Sequence, residues 1–143
     1  MAKSPVYSLE QSAVIPFIIK KGITEIVLIT SSSNKNWVIP KGGIERWMTP
    51  EKSAAKEALE EAGVIGVVSK TMVAEYEYTK YGAPCHVGVY PLAVSRVLAS
   101  WEEMKKRDRR IVEVSKAIRL IKNEQKAVLE TFQKMIPKFV SSI

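Results

Sequence analysis

Residues 41–64 read KGGIERWMTPEKSAAKEALEEAGV, and this stretch decides the fold. Within it, Glu60 and Glu61 flank Glu57 at about −60° and +40° on a helix that turns by about 100° per residue. We expect the three carboxylates to form one exposed acidic wedge. The opposite face, which we expect to pack on the core, carries small and apolar side chains: Ala55, Ala58, Leu59 and Ala62.

The acidic wedge has two interpretations. Acidic faces are common on surface helices and need no ligand. Neighbouring like charges, however, destabilise a helix by roughly a few tenths of a kcal/mol per pair. A divalent cation would turn this repulsion into attraction, because hard cations such as Mg²⁺ bind carboxylate oxygens and share them with substrate phosphates.

The residues before the helix favour the second interpretation. Residues 37–39 predict a short strand that stops at Pro40. Residues 42–43, both glycine, predict a tight turn with close backbone approach. Thr49 is a candidate N-cap before a proline, and Gly63 is placed to end the helix. The order is therefore strand, glycine turn, loop and acidic helix.

Counted from Gly42, this order resembles the signature of the Nudix hydrolases: Gly, five residues, Glu, seven residues, then Arg-Glu-apolar-x-Glu-Glu-x-Gly-apolar. The spacing is kept along all 23 positions. The residues that match are Gly42, Glu57, Glu60, Glu61, Gly63 and Val64. The serines at 31–33, Trp37 and the run at 40–43 look most like the diphosphoinositol polyphosphate and diadenosine polyphosphate hydrolase branch.

Two positions depart from the signature. Met48 stands where the family has Glu, and Lys56 stands where it has Arg. In the family these two residues typically form a salt bridge that ties the loop to the helix. Lysine lacks the planar guanidinium needed for a bidentate pair. We therefore expect this brace to be missing, with Met48 packing the loop by apolar contact, and a catalytically inactive binding module is an alternative.

The resemblance implies an α/β fold, the Nudix-type α/β/α sandwich with a mixed β-sheet, formed as one domain by residues 1–143. It also implies hydrolysis of phosphoanhydride bonds in nucleoside diphosphate-X, diphosphoinositol or dinucleoside polyphosphate substrates. The implied cofactor is Mg²⁺ or Mn²⁺, which neutralises phosphate oxygens and lowers the pKa of a bound water.

By the same resemblance, Glu60 and Glu61 are the main metal ligands, and Glu57 is a further ligand or a base acting through a metal-bound water. These three glutamates are the predicted catalytic residues. The backbone carbonyl of Gly42 is an additional predicted ligand. A more distant acid often completes such a site, and its candidates are Glu75, Glu77 and Glu102.

Four further residues are candidates for substrate binding. Lys35 and Lys41 lie where a cation could meet phosphate, although loop lysines are more often simply solvated. Tyr76 and Tyr78 could stack on a base, although aromatic residues in strands are more often packing residues.

The remaining sequence predicts strands followed by helices. Apolar runs rich in β-branched residues predict strands over 13–19 and 25–30 (a hairpin), one or two over 64–78, and others over 86–98 and 111–114. Pro91 predicts a bulge or a sheet edge. Residues 31–36, 82–84 and 101–110 predict a loop, a turn and a charged loop. We expect Ser115 to cap a short helix through 121 and Asn123 to cap a last helix whose core stripe is Val128, Phe132, Met135, Ile136 and Phe139.

Composition and residue counts narrow the function classes. The 143 residues are 46% apolar and 26% charged, without an apolar run long enough to span a membrane or a signal-peptide pattern. The single cysteine, Cys85, excludes an internal disulfide framework and suits a reducing, cytoplasmic location. His86 is the only histidine, so a zinc site of Cys and His ligands is excluded. We interpret His86 as an ordinary strand residue. A contact between His86 and substrate phosphate is the weaker alternative.

The net charge of +7 is unevenly distributed. Residues 45–61 hold three basic and five acidic side chains, whereas residues 105–122 hold eight basic and two acidic ones. A basic protein with a focused acidic patch suits a polyanionic, phosphorylated small molecule and a divalent cation. A solvated basic loop is an equal alternative for 105–110. An RNA-acting, decapping-like protein is a further alternative; nucleic acid and membrane partners are not expected, and a homodimer is compatible with the sequence.

Overall fold

The computed structural model describes residues 9–33 and 35–142, with side chains as far as residue 136. Eight strands form one sheet in this part of the chain. The strands are β1 (Leu9–Lys20), β2 (Ile23–Thr30), β3 (Trp37–Val38), β4 (Lys41–Gly43), β5 (Val64–Val68), β6 (Ala74–Lys80), β7 (Ala83–Val97) and β8 (Arg109–Glu113). The helices are α1 (Pro50–Glu57), which continues as a π-helical turn (Ala58–Ala62), α2 (Val114–Leu120) and α3 (Asn123–Ser142).

The sheet is mixed and is covered on both faces. Its main path runs β3-β2-β1-β7-β5, with β1 parallel to β7 and the other pairs antiparallel. One core, built around Ile15, Leu28 and Phe132, lies on the face that carries α2 and α3. The other, built around Val14 and Ala58, lies under α1. The predicted α/β/α sandwich with a mixed sheet is confirmed.

Two tight hairpins set the strand register. Lys21 and Gly22 join β1 to β2 with φ of 51° and 80°. Tyr81 and Gly82 join β6 to β7 with φ of 52° and 77°. Positive φ at both central residues is typical of the two-residue turn whose backbone twist matches the twist of the paired strands. The first hairpin confirms the prediction, whereas the second turn lies earlier than residues 82–84, because Ala83 already belongs to β7.

Pro91 lies inside the sheet and not at its edge. On one side it pairs with Ile15 in the parallel ladder. On its other side β6 pairs with β7 as far as Val89, and β5 begins its pairing at Leu92. Proline has no N–H to donate to a ladder, so the gap between two partner strands accommodates it. The predicted bulge is not at Pro91. The register shifts instead in the antiparallel ladder between β5 and β7, between Ile65 and Gly66 of β5.

The C-terminal helices begin slightly differently from the prediction. Helix α2 starts at Val114 with Glu113 as its N-cap, and the Ser115 hydroxyl donates a hydrogen bond to the Glu113 carboxylate at 2.7 Å. Ser115 is therefore not the cap. Helix α3 begins with Asn123 itself, one position earlier than a cap at Asn123 would give, and Val128 and Phe132 are buried while residues 135 and 136 are half-buried. Phe139 lies outside the described side chains.

Within the described ranges, no helix combines the length and the apolar character needed to cross a bilayer.

Candidate active site

The acidic helix ends in a π-helical turn that changes which side chains face the core. Pro50 occupies the first helical turn as predicted, while Thr49 makes no side-chain cap. Gly63 ends the segment with φ of 65°, as predicted. Wider turns shift later residues around the axis relative to a regular α-helix. As a result Leu59, predicted to be packed, is 42% exposed, and Glu61, predicted to be exposed, is 7% exposed.

The Glu57 and Glu61 carboxyls lie near each other, and the Glu57 carboxylate lies against the Gly42 backbone. The predicted turn at residues 42–43 is wrong, because this segment is the extended strand β4, paired with β1. Gly42 is nevertheless required, since a methyl group built on it would overlap the Glu57 carboxylate. The Lys41 backbone N–H donates to Glu61 Oε1 at 3.2 Å. The helix and β4 thus hold the two carboxyls together.

Burial and mutual repulsion perturb both carboxyls. The pKa of Glu61 is raised to about 8, chiefly by burial; Arg107 opposes the rise, and Glu57 adds to it. The pKa of Glu57 is also raised, again chiefly by burial, and its polar interaction with Glu61 opposes that rise. Two neighbouring carboxyls that are withdrawn from water ionise together less readily, and the Arg107 charge offsets this only in part. A bound cation would add positive charge beside them.

Glu60 faces a different partner. Its carboxylate pairs with the Lys56 ammonium, four residues earlier on the helix. Lys56 also pairs with Glu45 Oε1 at 3.0 Å. The expectation that the loop-to-helix brace is missing is therefore wrong: Glu45 takes the place of the acid that Met48 lacks, and it raises the pKa of Lys56 together with Glu60. Met48 packs on the same helix, where its Sδ lies 3.7 Å from Ser53 Oγ.

The brace is a surface ion pair, so its contribution should be small and dependent on salt. We expect Glu45→Gln to lower the free energy of unfolding by less than about 1 kcal/mol. The double variant Glu45→Gln/Met48→Glu returns an acid to the loop and should recover the loss. Urea unfolding at low and high ionic strength measures both effects. A Glu45→Gln variant as stable as the wild type at low salt would contradict the brace.

Arg107 and Glu103 complete the buried side of the site, and the sequence did not single out either residue for this role. Arg107 reaches Glu61 Oε2 at 3.4 Å and Glu103 Oε1 at 2.8 Å. It also donates to the Thr30 carbonyl at 3.0 Å. The Glu103 N–H donates to the Glu60 carbonyl at 3.0 Å, and the Glu103 charge raises the pKa of Glu57. Glu103 is therefore the fourth acid at this site.

The predicted distant acids lie elsewhere. Glu102 is exposed in the loop beside Glu103, and Glu77 is exposed on β6. Glu75 accepts a hydrogen bond from His86. The signal that could have identified Glu103 is its spacing of four residues from Arg107, which suits a helical turn.

Two arginines of the basic segment, Arg107 and Arg109, are engaged by the fold, whereas Lys105 and Lys106 are exposed. The Arg109 guanidinium lies 4.0 Å from the Trp101 ring and donates to the Ala62 carbonyl at 3.0 Å. Trp101 Nε1 donates to the Glu61 carbonyl at 3.0 Å. These contacts satisfy carbonyls at the end of the acidic helix. Part of the basic segment therefore holds the acidic helix in place and is not a solvated loop.

Two neighbouring cavities have volumes of about 340 Å³ each, and Glu61 lines one of them. Lys41 and Tyr78 line both of them, and Glu61, Lys80 and Arg107 line the one nearer the carboxyls. The other is bordered by aromatic and polar groups that include Trp37, Tyr76, Asn123 and Gln125. The structure therefore places a basic and aromatic recess next to the acidic helix.

Three of the four predicted substrate-binding residues line this recess. The Lys41 ammonium donates to Tyr78 Oη at 2.7 Å, and burial lowers the pKa of Lys41. Tyr78 Oη donates to Gln11, and Tyr76 Oη accepts from Gln125. Lys35 lies outside the recess, in the exposed loop, with φ of 58°.

The donor set suits a hard divalent cation. Glu57 lies against the Gly42 backbone and Glu61 contacts Arg107, and the pKa values of both carboxyls are raised in spite of the Arg107 charge. Glu60 would have to exchange Lys56 for the cation. Consistent with this, no three carboxylate, imidazole or thiol groups converge at ligand distances among the residues that the structure describes.

His86 lies between two carboxylates on the sheet. Its Nδ1 is 2.8 Å from Glu10 Oε2 on β1, and its Nε2 is 2.6 Å from Glu75 Oε1 on β6. These hydrogen bonds raise the pKa of His86 above its ordinary value of 6.5, with Glu75 contributing most. The residue ties three strands together and is more than an ordinary strand residue.

The raised pKa of His86 predicts a pH effect of defined sign. A folded-state pKa above the unfolded value of 6.5 stabilises the fold below that pH, and the contribution is lost as pH rises through the folded-state pKa. Because His86 is the only histidine, its imidazole proton signal is resolved by NMR. We expect a titration midpoint above 6.5 that falls in Glu75→Gln. A midpoint at or below the ordinary value would contradict the observed contacts.

Comparison with known proteins agrees with this geometry. A family model described as the NUDIX domain matches residues 9–131. Nudix hydrolase 21, chloroplastic, from Arabidopsis thaliana is 34% identical over 125 residues, which cover 82% of this chain and 63% of that protein. Diphosphoinositol polyphosphate phosphohydrolase 2 from Rattus norvegicus is 35% identical over 81 residues, which cover 55% of this chain and 43% of that protein.

A solved structure gives the same fold. The C. elegans Ap4A hydrolase binary complex has a TM-score of 0.75 at 18% identity, and the match covers 91% of this chain and 98% of that one. The chain spans about three fifths of the length of the curated relatives it matches first. The family model covers most of the sequence, and it includes both the acidic helix and the strands that hold it. This chain therefore belongs to the Nudix family.

Proposed function

We propose that the chain is a divalent-metal-dependent hydrolase of phosphoanhydride bonds in nucleoside diphosphate-X, diphosphoinositol or dinucleoside polyphosphate substrates. The observation that carries the proposal is the Glu57–Glu61 carboxyl pair, in which Glu61 is buried, Glu57 is packed against Gly42 and both pKa values are raised. Keeping two such carboxyls together costs stability unless a ligand is bound. Such an arrangement is typical of a functional site.

The proposed ligands of Mg²⁺ or Mn²⁺ are Glu57, Glu60, Glu61 and the Gly42 carbonyl. When bound, the metal supplies charge neutralisation at phosphate oxygens and an activated water. The chain itself holds the ligands in place: Arg107 and the Lys41 N–H bind the Glu61 carboxylate, and Gly42 leaves room for Glu57. Glu103, which shares Arg107 with Glu61, is the proposed additional acid.

The recess beside the carboxyls is the proposed substrate site. Lys41 and Lys80 would attract phosphate, and the half-buried Lys41 ammonium would act over a longer range than a cation in bulk water. Trp37 and Tyr76 border the neighbouring cavity, where a base or another group X would lie. The names of the relatives, which include diphosphoinositol polyphosphate and Ap4A hydrolases, support polyphosphate substrates.

The inactive binding module is disfavoured by one observation. It was suggested by the loss of the brace residues, and Glu45 restores the brace to Lys56. The RNA-acting alternative is weakened by Arg107 and Arg109, which are engaged by the acidic helix and its carbonyls. The hydrolase is therefore the better account of the site.

A substrate panel tests the proposed function. The purified chain would be incubated with dinucleoside polyphosphates, diphosphoinositol phosphates, nucleotide sugars, nucleoside triphosphates and capped RNA, each with Mg²⁺, Mn²⁺ or EDTA. We expect metal-dependent phosphate-containing products from at least one of the first four classes, all of which contain a phosphoanhydride bond of the proposed kinds. Binding without turnover under every metal would support the inactive module, and turnover confined to capped RNA would support the RNA-acting alternative. Either result would overturn the proposal.

A further inference from the structure

Ser12 on β1 is fully buried, and its hydroxyl has no hydrogen-bond partner in the part of the chain that the structure describes. Nearly all buried polar side-chain atoms in proteins are hydrogen-bonded, and an orphaned hydroxyl destabilises the fold. An alanine or valine at this strand position would avoid that penalty. Ser12 therefore requires an explanation that the metal-free fold does not give.

Strand alternation places Ser12 on the face that carries the acidic helix. Its neighbour Ala13 lies in the core beneath α2 and α3. Val14, two residues further along β1, lies in the core beneath α1. Successive residues in a strand point to opposite faces, so the Ser12 hydroxyl shares the α1 side with Val14.

Both strands that pair with Ser12 present a glycine to it. Gly42 on β4 pairs with Ser12 in antiparallel register, and Gly88 on β7 pairs with it in parallel register. The Glu57 carboxylate fills the place that a Gly42 side chain would take. Paired Cβ positions of antiparallel strands are about 4.5–5.5 Å apart. The Glu57 carboxylate is thus a close neighbour of Ser12, within reach of a small side-chain rotation or of one bridging water.

A second polar group borders Ser12 on the other side. A Cβ built on Gly88 would lie 3.3 Å from Met72 Sδ and 3.6 Å from Tyr90 Oη. Tyr90 is therefore the alternative partner for the Ser12 hydroxyl. It lies on the far side from the carboxyl pair, which lets experiment separate the two partners.

We propose that Ser12 is a positioning residue for Glu57, and that its hydroxyl donates a hydrogen bond to the Glu57 carboxylate, directly or through one water, in the cation-bound state. The Glu57 carboxylate already occupies the space beside Gly42, which faces Ser12 across the ladder. Donors behind a ligating carboxylate fix its orientation and strengthen metal binding. This inference rests on the proposed metal-dependent function.

The variant Ser12→Ala separates the two consequences of this role. Removing an orphaned buried hydroxyl should leave the metal-free melting temperature unchanged or higher. The same variant should bind Mn²⁺ about tenfold more weakly, as expected for loss of an outer hydrogen bond to a ligand. Calorimetric titration with Mn²⁺ alone measures the affinity without substrate. Ser12→Cys, which is similar in size and a weak donor, should show the same weakening if Ser12→Ala folds poorly.

Two further variants identify the partner. Tyr90→Phe is the matched control and should bind Mn²⁺ with wild-type affinity. In a Glu57→Gln background, Ser12→Ala should cause no additional loss of Mn²⁺ affinity, because Ser12 acts through Glu57. Unchanged affinity in Ser12→Ala, or an equal loss with and without the Glu57 carboxylate, would overturn the inference. Failure of the wild-type chain to bind Mn²⁺ would instead overturn the proposed function on which it rests.

Discussion

Glu61→Gln is expected to lower metal-dependent turnover by at least about 100-fold, because it removes a charge that the proposed cation needs. The fold should survive, since a glutamine oxygen can still accept the Lys41 N–H that now reaches Glu61 Oε1 at 3.2 Å. Burial keeps the Glu61 carboxyl partly protonated at neutral pH in the metal-free protein. The amide resembles the carboxyl in shape, and Arg107 keeps its contacts with Glu103 and the Thr30 carbonyl, so the metal-free melting temperature should fall less than in Arg107→Met.

Glu102→Gln is the matched control for this experiment. Glu102 lies in the same charged loop as the site residue Glu103, and its side chain is exposed. We expect this variant to keep wild-type turnover. Glu60→Gln tests whether Glu60 exchanges Lys56 for the cation, and a loss as large as that of Glu61→Gln is expected. Near-normal turnover in Glu61→Gln, measured with saturating Mg²⁺ and Mn²⁺, would refute the site assignment.

Arg107→Met is expected to lower the free energy of unfolding by about 3 kcal/mol, the order of loss when one partner of a buried ion pair is removed. Only 12% of the Arg107 side chain is exposed. Its guanidinium contacts the Glu61 and Glu103 carboxylates and the Thr30 carbonyl, so one substitution leaves three acceptors with a lost partner. Urea unfolding in EDTA measures this loss without a contribution from metal.

The cause of that loss can be isolated with a second substitution. In Arg107→Met/Glu61→Gln a neutral glutamine replaces the buried carboxyl that lost its partner, so part of the stability should return. Lys106→Met is the control, because Lys106 is exposed in the same loop and its removal should change stability by less than about 0.5 kcal/mol. Strict additivity of the Arg107 and Glu61 substitutions would show that the two side chains do not interact.

Local patterns in the sequence identified most of the architecture. The hairpin at residues 13–30, the long strand through His86 and the glycine-terminated acidic helix are all encoded by side-chain periodicity and turn residues that act over a few positions. The spacing from Gly42 to Gly63 was sufficient to indicate the family, and the family model confirms it.

The errors share a physical cause. Glu45 replaces the acid missing at Met48 because the loop folds back onto Lys56, and a linear spacing rule does not report that distance. Residues 42–43 form a strand and not a turn because β1 offers a paired edge to them. Glycine was required there for space, since the Glu57 carboxylate fills its side-chain position. In each case tertiary contacts overrode the local preference.

The sequence by itself determined the fold class, the family and the three glutamates of the acidic helix, because these depend on spacing along one chain segment. Only the tertiary structure decided which carboxyls meet, since the π-helical turn buries Glu61 against Glu57 and leaves Glu60 with Lys56. It also brought Arg107, Glu103 and Ser12 to the site from distant positions. Burial and charge at a site are sums over neighbours in space, and for this reason only the folded chain determines them.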